Sequence, residues 1–204
     1  MAKLYFRYGA MGSSKTANAL MVRFNYLEKG KKVEFLKPDI ENRDGEMIVR
    51  SRVGLEAECK YVSVFLKEFL SSPYELDAII IDEAHFMKPK EVEKFGYIVD
   101  HYDIPVICYG LRTDFQTKLF PGAKRLFELA DMIEQIPTIC YCGKKAQVNA
   151  RISKGKIVTK GEQVMMGGNE FYVSLCRKHY YEGIDKNIES DLKIDSLFDT
   201  IDCR

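Results

Sequence analysis

Gly9-Ala-Met-Gly-Ser-Ser-Lys15-Thr16 decides how the rest of this chain is read. Ahead of it runs Lys3-Leu-Tyr-Phe-Arg-Tyr8, rich in β-formers. Behind it, Ala17 to Lys29 carries apolar residues at 20, 21, 24 and 27, the spacing of a helix. Strand, glycine loop and helix form the setting of a phosphate-binding loop. The backbone of Gly9, Ala10, Met11, Gly12, Ser13 and Ser14, with the positive end of the helix dipole, can surround a polyphosphate. Lys15 then reaches the terminal phosphates, and the Thr16 hydroxyl ligates Mg²⁺. In the pattern G-x-x-x-x-G-K-[ST], Ser14 stands at the second glycine. If that position needs positive φ, serine there costs on the order of 1 kcal/mol. The bland alternative is a Gly/Ser turn before an ordinary basic helix start.

The 204 residues suffice for one α/β domain plus a small appendage. An apolar content of 46% supports a real core, and 30% charged residues give it a polar surface. A net charge of +1 argues against a protein that coats nucleic acid. No run of about 18 apolar residues occurs, so no membrane partner is expected. Lys3 and Arg7 interrupt the start, no long apolar signal region follows, and the expected location is cytoplasmic. The six cysteines are Cys59, Cys108, Cys140, Cys142, Cys176 and Cys203. Clustered cysteines in such a chain point to metal before disulfide.

Along the chain, Lys31 to Lys37 alternates like a strand and Met47 to Val49 offers another, with no strong element between 50 and 60. Val62 to Leu70 is helical in pattern. Ala78-Ile-Ile-Ile81 is continuously apolar and fits a central parallel strand buried on both faces. Asp82-Glu83 follows at its carboxyl end, where open α/β sheets bind ligands. Asp82 can hold Mg²⁺ through water and Glu83 can act as a base. Equally, the two acids could simply open the next helix, where they suit its dipole. Lys90 to His101 reads as a helix, Ile104 to Tyr109 as a strand, Gly110 to Phe115 as its carboxyl-end loop, Ala123 to Ala130 as a helix and Asp131 to Ile136 as a last strand. Strands alternating with helices imply parallel βαβ units.

After Pro137 the texture changes to short strands and turns: Cys140-Tyr-Cys142, a hairpin-like Arg151 to Thr159, Gly167-Gly168, and Cys176-Arg-Lys-His179. Three units follow: residues 1–137 as a nucleotide-binding α/β domain, 138–181 as a small zinc-held module, and 182–204 as a polar tail. Cys140, Cys142, Cys176 and His179 are two ligand pairs flanking a β module, the usual layout of a closed tetrahedral Zn²⁺ site. Cys140-x-Cys142 is one residue shorter than C-x-x-C. On an extended backbone its two side chains point the same way and converge on one ion with strain. The competing reading is free, buried, reduced cysteine.

The constellation resembles the type II thymidine kinase family over roughly residues 3 to 181. The carriers are Gly9-Ala-Met11-Gly-Ser13-Ser-Lys15-Thr16, Asp82-Glu83-Ala84-His85-Phe86, Tyr109-Gly-Leu111-Arg-Thr-Asp-Phe115, and Gly167-Gly168-Asn-Glu-Phe-Tyr172 followed by Cys176-Arg177-Lys-His179-Tyr180. The resemblance implies a P-loop NTPase fold, a RecA-like parallel sheet with helices on both faces, plus a β-rich, zinc-binding lasso domain. It implies ATP, Mg²⁺ and structural Zn²⁺ as cofactors, and phosphorylation of the 5′-hydroxyl of thymidine to dTMP. Glu83 would take the hydroxyl proton and Asp82 would help hold Mg²⁺. Met11, Phe86, Leu111 and Phe115 would wall the thymine pocket, Asn149 would fall near the base, and Tyr172 would lie near the nucleoside. Gly167 would belong to the lasso, whose backbone bonds thymine. Arg43 matches the arginine of a D-x-R loop, in which Glu41 stands where the family carries Asp. For each apolar residue, core packing is the competing fate. The resemblance further implies a homotetramer inhibited by the end-product triphosphate, with no nucleic-acid partner. Two rival functions remain: a nucleic-acid motor, because Asp82-Glu83-Ala84-His85 spells a DEAH box, and a nucleotide-binding zinc module without turnover.

Overall fold

A computed structural model of the chain describes residues 1–40, 47–163 and 171–185. The first half runs β1 (Leu4–Tyr8), α1 (Lys15–Leu27), β2 (Val33–Lys37), β3 (Ile48–Arg50), β4 (Glu56–Glu58), β5 (Lys60–Tyr61), α2 (Val62–Ser71) and β6 (Ala78–Ile81). A 3-10 turn (Ala84–Phe86), α3 (Pro89–Tyr102), β7 (Val106–Gly110), α4 (Pro121–Leu129) and β8 (Met132–Gln135) follow. β9 (Val148–Ser153), β10 (Lys156–Ile157), β11 (Phe171–Leu175) and α5 (Arg177–Asp185) complete the order.

Six strands form one parallel sheet in the order β5-β2-β6-β7-β1-β8. The period of two sorts its residues onto two faces. Leu4, Phe6, Leu36, Ile79, Ile81, Val106 and Cys108 pack with Phe65 and Phe69 of α2, Val92 and Phe95 of α3, and Leu126 of α4. Phe35, Ile80, Ile107 and Tyr109 pack on the opposite face with Ala19 and Leu20 of α1. Helices thus cover both faces, as the apolar run at 78–81 requires. Burying each isoleucine of β6 contributes about 1.5–3 kcal/mol.

Three local expectations change. The apolar positions 20, 21, 24 and 27 are not the buried stripe of α1: Leu20 is buried, while Met21, Phe24 and Leu27 are exposed. The buried residues of α1 are instead Lys15, which bends back onto the preceding loop, and Ala19 and Leu20, which pack on the sheet. Between 50 and 60 lie β4 and β5, too short and too rich in Glu to announce themselves. Across the expected boundary between the turns ending at 181 and the polar tail from 182 runs α5, anchored by Tyr180, whose hydroxyl donates to the Phe115 carbonyl at 2.7 Å.

The second sheet, β10-β9-β11, is antiparallel and pairs Asn149 with Ser174 and Arg151 with Tyr172. Its β9–β10 hairpin is the one expected at 151–159. Val148, Ala150, Ile152 and Leu175 pack with Cys140, Cys176 and Tyr180. The alternate residues, Asn149 and Arg151, are polar and yet buried. Asn149 bonds to two loops of the parallel sheet, at Met11 and Thr113, while Arg151 bonds to Tyr172 and the 162–163 backbone and stacks on Phe115.

α4 presses on the turn after β6. A Cβ on Gly122 would stand 2.6 Å from the Met87 carbonyl oxygen and 2.8 Å from those of Ala84 and His85. These are backbone atoms with no room to yield. Gly122→Ala should therefore destabilise the protein by about 1–3 kcal/mol. Because the same turn carries Glu83, activity should fall as well. Thermal melting checks the first effect, and an unchanged melting temperature would mean that α4 shifts freely.

Candidate active site

The loop after β1 is shaped by its tightest contacts. A Cβ on Gly9 would collide with the Ser13 side chain and the Ile136 carbonyl, so glycine is required. The Gly9 N–H donates to the Gly110 carbonyl at 3.2 Å, tying the loop to the end of β7. Ser14 adopts φ 58° and ψ 28°, the left-handed region, so serine there carries the cost of about 1 kcal/mol that its position implies. The Ser14 carbonyl accepts the Asn18 N–H at 2.9 Å and starts α1. The Lys15 ammonium curls over the loop, donating to the Ala10 carbonyl at 2.9 Å and to Ser13 Oγ at 3.4 Å. Those bonds hold the ammonium against the loop's own oxygens.

The two acids emerge at the carboxyl end of β6. Asp82 is 2% exposed and bonded by the Thr16 hydroxyl, while its Oδ1 is buried without a hydrogen-bond partner. Burial, then the neighbouring Glu83 charge, push its carboxyl up to about 7. A buried carboxylate oxygen left open beside a threonine hydroxyl fits a hydrated Mg²⁺. Glu83 is left-handed at φ 49°, which breaks the chain direction between strand and turn. Its carboxylate lies 3.4 Å from His85 Nδ1, which itself accepts the Leu111 N–H at 3.1 Å.

Met11, Gly12, Ser14, Lys15, Thr16, Glu83 and Leu111 border one cavity of about 550 Å³. Arg50 at the end of β3 and residues 51–53 of the loop that joins it to β4 form its far wall. Phe86 is half-buried in a ring cluster, 4.0 Å from His85 and 5.5 Å from Phe120. Phe115 is buried, with the Arg151 guanidinium 3.7 Å above its ring. Tyr172 is half-buried, and its hydroxyl accepts from Arg151 Nε at 2.8 Å. Asn149 has both amide ends engaged: Oδ1 accepts the Met11 N–H at 2.8 Å and Nδ2 donates to the Thr113 carbonyl at 3.2 Å. Ser174 Oγ donates to the Met11 carbonyl. β9 and β11 therefore grip the phosphate loop at one residue. Glu41, Arg43 and Gly167 lie outside the described residues.

Arg151 is the residue that sequence reading passed over. It is 1% exposed, and it also donates to the carbonyls of Glu162 and Gln163 at 3.1 and 3.4 Å. The signal was there: Val148-Asn-Ala-Arg-Ile152 alternates apolar and polar residues, so Arg151 shares a face with Asn149.

Cys140, Cys142, Cys176 and His179 bring their ligand atoms within 4.8 Å of one another. His179 Nδ1 lies 3.4 Å from Cys140 Sγ and 3.5 Å from Cys176 Sγ, and Cys142 Sγ lies 3.9 Å from Cys176 Sγ. Ligand atoms around a tetrahedral zinc with three thiolates sit roughly 3.5–3.8 Å apart, given its bond lengths. The residues thus fit the ion. The expected extended backbone at Cys140-Tyr-Cys142 is replaced by a turn. Gly143, at φ 79°, donates its N–H to the Cys140 carbonyl at 2.8 Å, and Cys140 donates to the Lys144 carbonyl at 2.8 Å. The turn, rather than strain, lets one intervening residue suffice. The Lys144 backbone N–H holds the Cys142 thiol below its ordinary value, which favours the thiolate.

Comparison with known proteins bears on this geometry. The family profile described as Thymidine kinase matches residues 2–180. This chain belongs to the thymidine kinase family. It is 42% identical over 190 residues to a thymidine kinase of Shewanella oneidensis, covering 90% of this chain and 99% of the relative. It is 43% identical over 188 residues to one of Streptococcus pyogenes serotype M3, covering 89% and 98%. Thymidine phosphorylation is the activity this family carries, and the chain is an enzyme of that class. No helix among the described residues is long and apolar enough to cross a membrane.

The raised Asp82 carboxyl has a measurable consequence. Its folded value, about 7, exceeds the ordinary value of about 4. The metal-free protein therefore loses stability as pH rises through that window, because the folded state resists an ionisation the unfolded chain accepts. Asp82→Asn removes the effect. Its melting temperature should exceed that of the wild type at pH 8, and the gap should nearly vanish at pH 4. An equal gap at both values would mean that Asp82 ionises like a solvated carboxylate.

Proposed function

We propose that this enzyme transfers the γ-phosphoryl group of ATP to the 5′-hydroxyl of thymidine, giving dTMP and ADP. The observation that carries the reading is that Lys15, Thr16 and Glu83 border one cavity with Met11 and Leu111. Phosphate-binding groups, a carboxylate base and apolar walls thus share one space. Phosphoryl transfer asks for positioning, charge neutralisation and a base, more than for covalent chemistry.

Lys15 leaves the Ala10 carbonyl and binds the terminal phosphates. Thr16 and Asp82 would hold Mg²⁺, which neutralises phosphate charge when bound. The Glu83 carboxylate accepts the 5′-hydroxyl proton as that oxygen bonds to the γ-phosphorus. The bond from the γ-phosphorus to the β–γ bridging oxygen breaks, and ADP leaves. Met11 and Leu111, which border the cavity, present apolar surface to the base, and Phe86 and Phe115 lie outside that cavity's lining. Asn149 acts from behind, holding Met11. Tyr172, fixed through Arg151, borders the nucleoside with the lasso, whose closure excludes water and limits ATP hydrolysis. Cys140, Cys142, Cys176 and His179 would hold a structural Zn²⁺, since four protein ligands leave no open position.

Glu83→Gln should retain ATP binding while kcat for thymidine falls about 10²-fold or more, as for a lost general base. Steady-state assays with radiolabelled ATP decide this, and near-normal turnover would remove Glu83 from the mechanism. Elemental analysis should find about one zinc per chain. Cys176→Ser should raise the thymidine KM, and the ATP KM should rise too, because β11 carries Ser174 against Met11. A metal-free preparation with full activity would show that packing alone holds the second sheet.

A further inference from the structure

The far wall of the cavity has no assigned chemistry. It is the five-residue loop of the β3–β4 hairpin, whose register pairs Arg50 with Glu56. Ser51 fixes the loop. Its N–H donates to the Leu55 carbonyl at 2.7 Å, its Oγ accepts the Leu55 N–H at 3.0 Å, and its carbonyl accepts the Gly54 N–H at 3.1 Å. A loop bonded in this way holds its remaining residues in place. Two arginines line the cavity here, Arg50 at the end of β3 and Arg52 in the loop. Arg50 is engaged, with Nε 2.8 Å from Glu56 Oε2. Arg52 is exposed and makes no ion pair or side-chain hydrogen bond among the described residues.

The charge on the opposite side sets the requirement. The phosphate loop offers backbone N–H groups and one ammonium, Lys15, and the Mg²⁺ ligands lie at the same edge. A triphosphate still presents γ-oxygens facing away from the loop, and these gain importance as the phosphoryl group loosens from ADP. A guanidinium suits them, since its planar fork can bond two oxygens at once.

We propose that Arg52 contacts the γ-phosphoryl oxygens of the bound nucleoside triphosphate, closing the site from the hairpin side. This rests on the proposed kinase function and adds a catalytic residue to it. Arg52 meets charge that the P-loop side leaves uncovered. The hairpin thereby becomes part of the triphosphate site rather than a solvated excursion from the sheet.

The test compares wild type, Arg52→Gln and Arg52→Lys in thymidine phosphorylation, and by calorimetric titration with Mg²⁺-tripolyphosphate. Arg52→Gln should lower kcat by about 10²-fold, the scale of one lost transition-state donor. It should weaken tripolyphosphate binding while leaving the thymidine KM within about threefold. Arg52→Lys should recover part of the loss, since it restores charge without the fork. All three should melt within about 2 °C of one another, because exposed substitutions shift stability little. An Arg52→Gln enzyme whose kcat and tripolyphosphate affinity both match the wild type overturns the proposal. If the wild type phosphorylates no nucleoside, the functional reading fails instead, and the tripolyphosphate comparison still decides Arg52.

Discussion

Everything functional in this molecule depends on the complete burial of β6. Ile79, Ile80 and Ile81 are each 0% exposed, with helices α2 and α3 on one side and α1 on the other. A parallel strand covered on both faces has no room for a charge until it leaves the sheet. Asp82 and Glu83 therefore appear together at its carboxyl edge. β7 lies between β6 and β1, so the loops after all three strands open at the same edge. The phosphate loop, the acids and the Leu111–Phe115 loop are neighbours for that reason alone. The left-handed residues then turn the chain sharply, Glu83 just past the end of β6 and Ser14 where the phosphate loop enters α1.

The second sheet is built on the opposite plan. Its apolar face is small and closes on the cysteine cluster. Its other face is polar, and its polarity is consumed by bonding. Asn149 and Ser174 both bond to Met11, and Arg151 gathers Phe115, Tyr172 and the 162–163 backbone. Buried polar groups are tolerated when every atom finds a partner. They also specify geometry more narrowly than apolar packing does.

The sequence revealed the parallel sheet well because its signals were strong. An uninterrupted Ala78-Ile-Ile-Ile81, a glycine loop ahead of a helix, and turn residues at each junction all agreed. The acid pair at the end of β6 and the cluster of three cysteines and a histidine were legible because their residue types are rare in such spacings. What escaped had weak local signals. The buried stripe of α1 is set by how the helix meets the sheet, and its apolar residues at 21, 24 and 27 point elsewhere. Strands β4 and β5 take their form from tertiary pairing. The tasks of Asn149 and Arg151 depend on partners between 11 and 138 residues away, and no spacing rule reaches that far. The turn at Cys140 to Gly143 was missed because Gly143, which makes it possible, lies outside the cysteine pair.

Given the proposed zinc at the cysteine cluster, the grip on Met11 would have a consequence for a cell short of metal. Loosening the cysteine cluster would release β9 and β11, and with them the two bonds that set the phosphate loop. The failure would reach the nucleotide and nucleoside sides together. Such a protein would fall silent, instead of persisting as a remnant that binds ATP and spills its phosphate to water. With the proposed zinc in place, metal shortage would thus act on the phosphate loop and the second sheet together, with no extra regulatory part.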